Sequence, residues 1–433
     1  MASNLDLTRR NFFRAGAAIS AGSGLSCCSI PEVDAIESDL RKYLDFGIKQ
    51  AGGEGDNACG EWLEGELQAF GFEVERQTIQ APFFDARRAE LVVEGASAAV
   101  WPQPIVMPTP AGGLEAELVR VDAQGNAMAD LAGAIALIDL PSGKWSSMMA
   151  PALHEPIEAA FAAGAIAAVA ITNGPTGKII ALNTDGAEPM FSGPTALLAP
   201  EDAAPFLAAA SQQDAKAKLF LEGAGGRRPA FNLIGKLDRG KDEWLVISTP
   251  RSGWFTCGAE RGGGIAAWLK IARWSAEAVS DLNIAMICNS GHEYENLGAE
   301  EAIREAAPKP EETRFWLHLG ANLAARDWHT VVGGVRPLRG TDSQRYLVVT
   351  ESLLETSRAL FARRSGLENP YSSEDLSAGE LTEIIEAGYP LVAGIFGIHR
   401  FHHIAEDGED CIMSEETAIT AQAFQALVEQ AIG

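Results

Sequence analysis

The sequence predicts an α/β fold, in which a mostly parallel or mixed sheet is covered on both faces by helices. One observation is that apolar runs without polar alternation, typical of buried strands, alternate with helical patterns after residue 226. A second is that residues 88–225 differ in texture, with short strand patterns between alanine-rich runs. We therefore expect one α/β domain, residues 31–87 and 226–433, interrupted by a β-rich insertion at residues 88–225.

The elements follow from the spacing of apolar residues. Up to the end of the insertion, helices are predicted at "VDAIESDLRKYLDFGI", "CGEWLEGELQAFG" and "EPIEAAFAAGA", and strands at "FEVERQTIQ", "AELVRVDA", "AGAIALIDL", "IAAVAIT" and "AKLFLEG". After the insertion, strands are predicted at "EWLVIST", "LNIAMIC", "TRFWLHLGA" and "PLVAGIFG". The helices that follow these strands are predicted at "GGIAAWLKIARWSAEA", "LGAEEAIREAA", "TESLLETSRALFARR" and "SEETAITAQAFQALVEQAI".

Composition and charge exclude two classes of partner. A net charge of -25 gives the surface a negative field that repels phosphate backbones, so no nucleic acid partner is expected. No run of 18 or more apolar residues occurs, so no membrane span is predicted. A peptide or small-molecule substrate is compatible with this charge. The sequence does not indicate an oligomeric state.

The N-terminus carries a targeting pattern. In "LTRRNFFRAGAAIS", Arg9 and Arg10 precede a weakly apolar run of small residues, which resembles a twin-arginine export signal. Residues 1–30 are therefore predicted to be a signal, and the protein to be periplasmic or secreted. Cys27 and Cys28 match a lipid-acceptor site poorly, so lipid anchoring is the less favoured alternative.

Chemically competent side chains follow four of the predicted strands. Because the carboxyl ends of parallel strands meet at one edge of a sheet, the loops that follow them can converge on one cleft. These loops hold Arg251, Cys257, Glu260, Arg261, His292, Glu293, Glu295, His399, His402 and His403. Imidazoles and carboxylates at one edge are typical of metal or acid–base sites.

Several of these loops resemble the M28 family of zinc aminopeptidases. "EGELQAFGFEVERQ" is similar to the family's opening helix and strand, and "FNLIGKL", "ENLGAEEAI", "EAGYPLVAG" and "FHHIAEDGED" are similar to its catalytic core. The resemblance runs from about residue 40 to the C-terminus. It implies the phosphorylase/hydrolase-like aminopeptidase fold, and it implies that residues 88–225 are an inserted protease-associated (PA) type of domain.

The resemblance also implies that one of the family's two zinc sites is lost. The family's first-strand His falls on or next to Pro250, which has no ligand atom, and its third-strand Asp falls near Gly320. Both residues belong to the same zinc ion in the family. We expect that position to be empty or filled by a side chain such as Arg251.

The resemblance implies that the ligands of the second zinc site are retained. The family's bridging Asp falls on Glu260, its carboxylate ligand on Glu293 and its C-terminal His ligand on His403. The family's catalytic Glu falls on His292, so the base becomes an imidazole. A neutral imidazole can accept a proton from water near pH 7.

Three functions remain open. The first is a hydrolase with at most one zinc ion, held by Glu260, Glu293 and His403, with His292 as base. The second is a metal-free acid–base enzyme, a hydrolase or lyase that uses His292 and Glu293, in which Arg251 and Arg261 bind a substrate carboxylate or a developing oxyanion. The third is a non-catalytic pseudo-peptidase that binds a peptide or small acid. Ordinary aminopeptidase activity is expected to be weak or absent.

Overall fold

The computed structural model of the chain describes residues 30–103 and 105–433, with side chains described from residue 33 onward. The export-signal prediction therefore lies almost wholly outside the described residues, as do Cys27 and Cys28. The helices are α1 (Ile30–Asp45), α2 (Glu54–Ala69), α3 (Pro151–Ala162), α4 (Ala203–Ala209), α5 (Gly263–Ala278), α6 (Leu297–Glu305), α7 (Leu354–Phe361), α8 (Glu380–Glu386) and α9 (Ser414–Ile432).

The strands of the described residues alternate with these helices in the second half of the chain. They are β1 (Glu73–Val93), β2 (Ala96–Pro102), β3 (Leu114–Val121), β4 (Ile135–Asp139), β5 (Ala167–Ile171), β6 (Thr195–Leu198), β7 (Lys216–Leu237), β8 (Trp244–Pro250), β9 (Asn283–Asn289), β10 (Thr313–Leu319), β11 (Arg326–Val331), β12 (Gly334–Thr341), β13 (Arg345–Val349), β14 (Tyr371–Ser372) and β15 (Val392–Gly397).

Thirteen of these strands form one mixed sheet, in the order β1-β2-β6-β5-β4-β3-β7-β9-β8-β10-β15-β13-β14. Strands β9, β8, β10 and β15 are parallel to one another, whereas β7 and β13 run antiparallel on the two sides of this group. Helices pack on the sheet, and the parallel strands are buried except at Trp244, Arg314 and Phe396. The predicted mixed, helix-flanked sheet is confirmed.

Helix α5 illustrates why the sequence folds this way. Its apolar residues recur three and four positions apart, so that Ile265, Trp268, Leu269 and Ala272 share a buried core with the sheet strands. The Trp268 indole N–H donates to the backbone oxygen of Ile247 in β8 at 3.0 Å, which satisfies its one polar atom inside the core. Helix α5 is thereby fixed behind the loop that carries Glu260.

Strands β1 and β7 are longer than the sequence predicted. They pair antiparallel from Glu73 and Lys236 to Val93 and Ala217. The sequence analysis ended the last strand of the insertion at "AKLFLEG". In the structure the glycines that follow continue the strand, and a Cβ at Gly223 would lie 2.4 Å from the Asp85 backbone oxygen. The interpretation of residues 88–225 as a separate PA-type domain stays a prediction.

Several further elements were missed by the sequence analysis. They are the strands β2, β6, β13 and β14, the helices α4 and α8, and the hairpin of β11 and β12, which forms a sheet of its own. Among the described residues, no helix combines the length and apolar character that a membrane span requires.

Candidate active site

Three loops bring the predicted site residues together at the carboxyl edge of the parallel strands. The loop after β8 leads into a π-helical turn, Gly258–Gly262, which holds Glu260 and Arg261. The loop after β9 holds His292 and Glu293, and the loop after β15 holds the histidines 399, 402 and 403. The position at the strand ends agrees with the sequence analysis.

Glu260 is fully buried at the centre of the site. Its Oε1 lies 2.9 Å from Arg261 Nη2 and 3.3 Å from His403 Nε2. The turn that carries it is fixed by the Asp407 carboxylate, which accepts the backbone N–H of Ala259 at 2.9 Å and that of Glu260 at 3.0 Å. Burial raises the pKa of Glu260, but Arg261, His403 and His402 outweigh it and hold this pKa well below its usual range. Glu260 is therefore an anion at neutral pH.

Two stacked histidines face this carboxylate. The rings of His402 and His403 lie 4.1 Å apart, and His403 Nδ1–H donates to the Ala181 backbone oxygen at 2.8 Å, which leaves Nε2 as the atom facing Glu260. His402 Nε2 lies 3.3 Å from Ser146 Oγ, while its Nδ1 is buried without a hydrogen-bond partner. Burial, followed by the neighbouring His403, lowers the pKa of His402 well below its ordinary value.

Glu260, His402 and His403 fit a metal ion. One ligand atom of each lies within 4.8 Å of the other two, and neither carboxylate oxygen of Glu260 accepts a hydrogen bond of ordinary geometry. Buried acceptors without a donor are costly, by roughly 1–3 kcal/mol each, unless a cation compensates them. Arg261 supplies one such cation beside Oε1, and a metal ion could bind the group as well. Two ligands at ordinary bond lengths from a tetrahedral zinc ion are about 3.3 Å apart. Glu260 Oε1 and His403 Nε2 have that separation.

The predicted ligand Glu293 is not a member of this group, and His402 takes its place. The Glu293 carboxylate already has two donors, because Oε1 accepts the Ala51 backbone N–H at 2.8 Å and Oε2 accepts the Ser252 hydroxyl at 2.6 Å. These bonds hold the carboxylate away from Glu260. Burial raises the pKa of Glu293 to about 7, although the bonds from Ser252 and Ala51 lower it.

The raised pKa of Glu293 predicts a pH-dependent stability. A carboxyl group whose pKa is higher in the folded protein stabilises the fold below about pH 4.5 and loses that contribution as the pH rises through 7. A rise from 4.5 to about 7 corresponds to about 3 kcal/mol. We expect the unfolding free energy of the wild-type protein to fall by that amount between pH 4.5 and 8 relative to Glu293→Gln, measured by urea denaturation. If the difference in unfolding free energy between the wild-type protein and Glu293→Gln stays constant with pH, Glu293 is ionised throughout, as a metal ligand is.

His292 stands at the accessible side of the site. Its side chain is 13% exposed, and its Nδ1 lies 3.4 Å from Oε1 of the buried Glu380. Glu380 Oε2 in turn accepts the Asn289 side-chain amide at 2.9 Å. Burial lowers the pKa of His292, Arg261 lowers it further, and Glu380 acts in the opposite direction. His292 is therefore neutral near pH 7, with Nε2 free to accept a proton.

Glu380 was missed by the sequence analysis. It lies at the start of α8, 88 residues after His292, and directly follows Gly379, whose φ is +58°. The signal that could have found it is "GELTEIIEAG", in which an acidic residue opens a short amphipathic helix between two glycines.

The two arginines of the sequence analysis have different positions. Arg251 is enclosed by the core: its Nε lies 3.0 Å from Asp56 Oδ1, and Nη1 and Nη2 donate to the backbone oxygens of Cys288 and Phe231. With its donors engaged there, Arg251 is a structural residue, and its predicted role in substrate binding is not retained. Arg261 is the guanidinium at the site, with Nε donating to the Ser252 backbone oxygen at 3.2 Å.

Pro250 and Gly320, the two positions at which the sequence analysis predicted lost ligands, lie at the ends of β8 and β10. Pro250 ends β8 without a ligand atom. At position 320 a Cβ would lie 2.4 Å from the Ile395 backbone oxygen, so a side chain there would clash with β15. The guanidinium beside Glu260 is that of Arg261 instead of Arg251.

The insertion forms part of the wall of the site. Besides Ser146 and the Ala181 backbone, the Thr184 backbone N–H donates to the Glu293 backbone oxygen at 3.1 Å. The Asn183 side chain accepts the Trp254 indole N–H at 2.9 Å. Both histidines that face Glu260 are therefore oriented by groups from the insertion.

Comparison with solved structures identifies the fold. A Peptidase M28 precursor from Shewanella amazonensis SB2B superposes with a TM-score of 0.71 at 18% identity, over 94% of each chain. A zinc aminopeptidase from Bacillus subtilis gives 0.69 at 16% identity, over 92% of this chain and 95% of the other. An aminopeptidase from Aneurinibacillus sp. strain AM-1 gives 0.64 at 16% identity, over 92% and 93%. At the level of sequence, no protein-family model and no curated protein matches the chain. The chain has the fold of the M28 zinc aminopeptidases.

Proposed function

We propose that this chain is an exported hydrolase that binds one metal ion, a zinc ion, and uses His292 as its general base. The observation that carries the proposal is the buried group of Glu260, His402 and His403, whose ligand atoms lie within 4.8 Å of one another beside the cation of Arg261. Two imidazoles and one carboxylate are a ligand set of catalytic zinc sites. The neighbour from Bacillus subtilis, a zinc aminopeptidase, supports zinc as the metal.

The side chains of this site have separate roles. When bound, zinc supplies Lewis-acid chemistry, which polarises a carbonyl group and acidifies water. His292 takes the proton of the attacking water at Nε2, because its Nδ1 faces Glu380. Arg261 binds a developing oxyanion or a carboxylate of the substrate. Its buried charge also makes a second metal ion beside Glu260 costly.

The metal-free acid–base enzyme is a second candidate. It is favoured by the ion pair of Arg261 with Glu260, because the guanidinium already compensates the buried carboxylate. In that version His292, which faces Glu380, and Glu293, whose pKa burial raises to about 7, supply the proton transfers. The third alternative, a binding protein for a peptide or small acid, predicts no turnover at all. Metal content separates the first two candidates.

The proposal extends to the location of the protein, its domains and its substrate class. We assign residues 1–30 to an export signal, which gives a periplasmic or secreted protein, and residues 88–225 to a PA-type domain that helps to enclose the site. The substrate is a peptide or small molecule with an amide or ester bond.

Hydrolysis assays on a substrate panel test the proposal. Because the base is an imidazole and one metal position has no ligands, we expect release from simple aminoacyl amides to be weak or absent. Small amides or esters that carry a carboxylate should be hydrolysed instead, since Arg261 can bind that group. The measurement is turnover of the zinc-supplemented full chain on both classes. Robust, chelator-sensitive release of N-terminal residues at neutral pH would refute the proposed chemistry.

A further inference from the structure

The hairpin of β11 and β12, residues 326–341, projects from the fold as an arm. It forms a sheet of its own, and its tip exposes Val331 and the fully solvent-accessible Val332. Leu338 is exposed nearer the base, where its backbone oxygen accepts from Arg326 Nη1 at 3.3 Å. Its base is anchored, because the Trp328 ring packs edge-on against Phe401 with ring centroids 5.0 Å apart. Exposed apolar side chains at the end of a two-stranded projection are typical of a contact surface.

The arm is basic, in contrast to the rest of the chain. Residues 326–341 contain three arginines and one aspartate, whereas the whole chain carries a net charge of -25. Arg336 and Arg339 are exposed on β12. A basic arm on a strongly acidic protein is complementary in charge to a second copy of the same protein.

An acidic groove lies next to the base of the arm. It is a cavity of about 460 Å³ between α1 and the start of α9. Its floor and rim include Leu40, Ile412, Glu37, Glu409, Asp410 and Glu415. Arg326, the first residue of the arm, also lines the groove and donates from Nε to the Asp410 backbone oxygen at 2.8 Å. Arg41 lines it as well and pairs with Glu37 at 2.7 Å. The groove therefore combines an apolar floor with four carboxylates against two arginines.

The arm and the groove suit a two-fold symmetric exchange. In a two-fold dimer each contact occurs twice. The arm of one protomer can therefore contact the groove of the other, while the arm of the second contacts the groove of the first. The apolar tip fits the groove floor, and Arg336 and Arg339 fit its carboxylates. Two such contacts bury twice the surface area of one. The total buried area is therefore closer to that of a stable interface than a single small arm would give.

We propose that the protein forms a homodimer in which the arm of each protomer docks in the acidic groove of its partner. This assignment goes beyond the proposed hydrolase. It also connects the interface to the site, because Trp328 of the arm packs on Phe401, two residues before His403.

Sedimentation velocity of the full chain tests the dimer. At about 50 mM salt, where the Debye length exceeds 10 Å, we expect a species of twice the 45.9 kDa chain mass, and weaker association at about 500 mM salt. Val332→Glu on the arm and Glu409→Lys in the groove should each raise the dissociation constant by about tenfold or more. Both positions are exposed, and circular dichroism checks that each variant is folded.

Met128→Glu is the matched control, because it places the same charge at an exposed apolar position of the insertion. It should leave the dissociation constant unchanged. A dimer that responds to Met128→Glu but to neither of the other substitutions would place the interface elsewhere and overturn the proposal. A chain that stays monomeric at both salt concentrations would overturn it as well.

Discussion

Replacement of His292 by alanine is expected to lower kcat by about 10²- to 10⁴-fold, the usual contribution of a general base. The imidazole is the titratable group of the site with partial access to solvent, and Glu380 orients it through Nδ1. Its loss removes the proton acceptor without removing any member of the proposed metal group. The measurement is turnover of the zinc-loaded variant on the substrate that the panel identifies, together with its zinc content, which should remain at the wild-type level.

Glu380→Gln adds a pH signature to this prediction. The pKa of His292 is lowered by burial and by Arg261, so the rate of the wild-type enzyme should be lost on the acid side, at a pH below 6.5. Because the Glu380 carboxylate raises this pKa, its removal should move the acid limb of the kcat/KM profile to still lower pH, while the maximal rate falls. A merely structural role of Glu380 leaves the position of that limb unchanged.

His154→Ala is the matched control for His292. This residue is also a histidine beside a glutamate, at 3.0 Å from Glu158, but it lies on α3 of the insertion. It should retain full turnover. If His292→Ala kept wild-type turnover as well, His292 would not be the base. If the wild-type protein and both variants hydrolysed no substrate, the binding-protein alternative would be favoured.

Replacement of Glu260 by glutamine is expected to weaken zinc binding by at least about 100-fold, because an anionic ligand becomes a neutral amide of the same shape. Glu260 is the one carboxylate of the metal group, and its pKa is held low by Arg261 and the two histidines despite burial. The measurement is a zinc titration of the metal-free protein by isothermal calorimetry. Glu293→Gln is the control and should keep the affinity, because both Glu293 oxygens are engaged by Ala51 and Ser252.

Much of the fold could be predicted because long apolar patterns leave few alternatives. Helix α9 coincides with the predicted "SEETAITAQAFQALVEQAI", and the four buried parallel strands lie where uninterrupted apolar runs occur. The arm was missed because its residues alternate poorly and are largely exposed, so no apolar pattern marks them. Strand β7 was cut short for a different reason, since its glycines allow close backbone approach instead of a turn.

The sequence predicted which loops form the site, but it did not predict which of their side chains face one another. Glu260, His292 and His403 were found because they follow strands that meet at one edge. The exchange of Glu293 for His402 depends on which way each side chain points, and that is decided by the hydrogen bonds from Ala51 and Ser252. The roles of Arg251 and Arg261 were also indistinguishable in the sequence. Only packing places one against Asp56 in the core and the other against Glu260.

The zinc content of the wild-type chain is the measurement that tests the central claim most directly. The full chain, purified without chelator, equilibrated with excess zinc and freed of unbound metal, is analysed by inductively coupled plasma mass spectrometry. We expect one zinc ion per chain, because Glu260, His402 and His403 form one ligand group and Arg261 lies beside it. Two zinc ions per chain would contradict this account by showing that the vacated position still binds metal. No zinc would contradict it in favour of the metal-free enzyme.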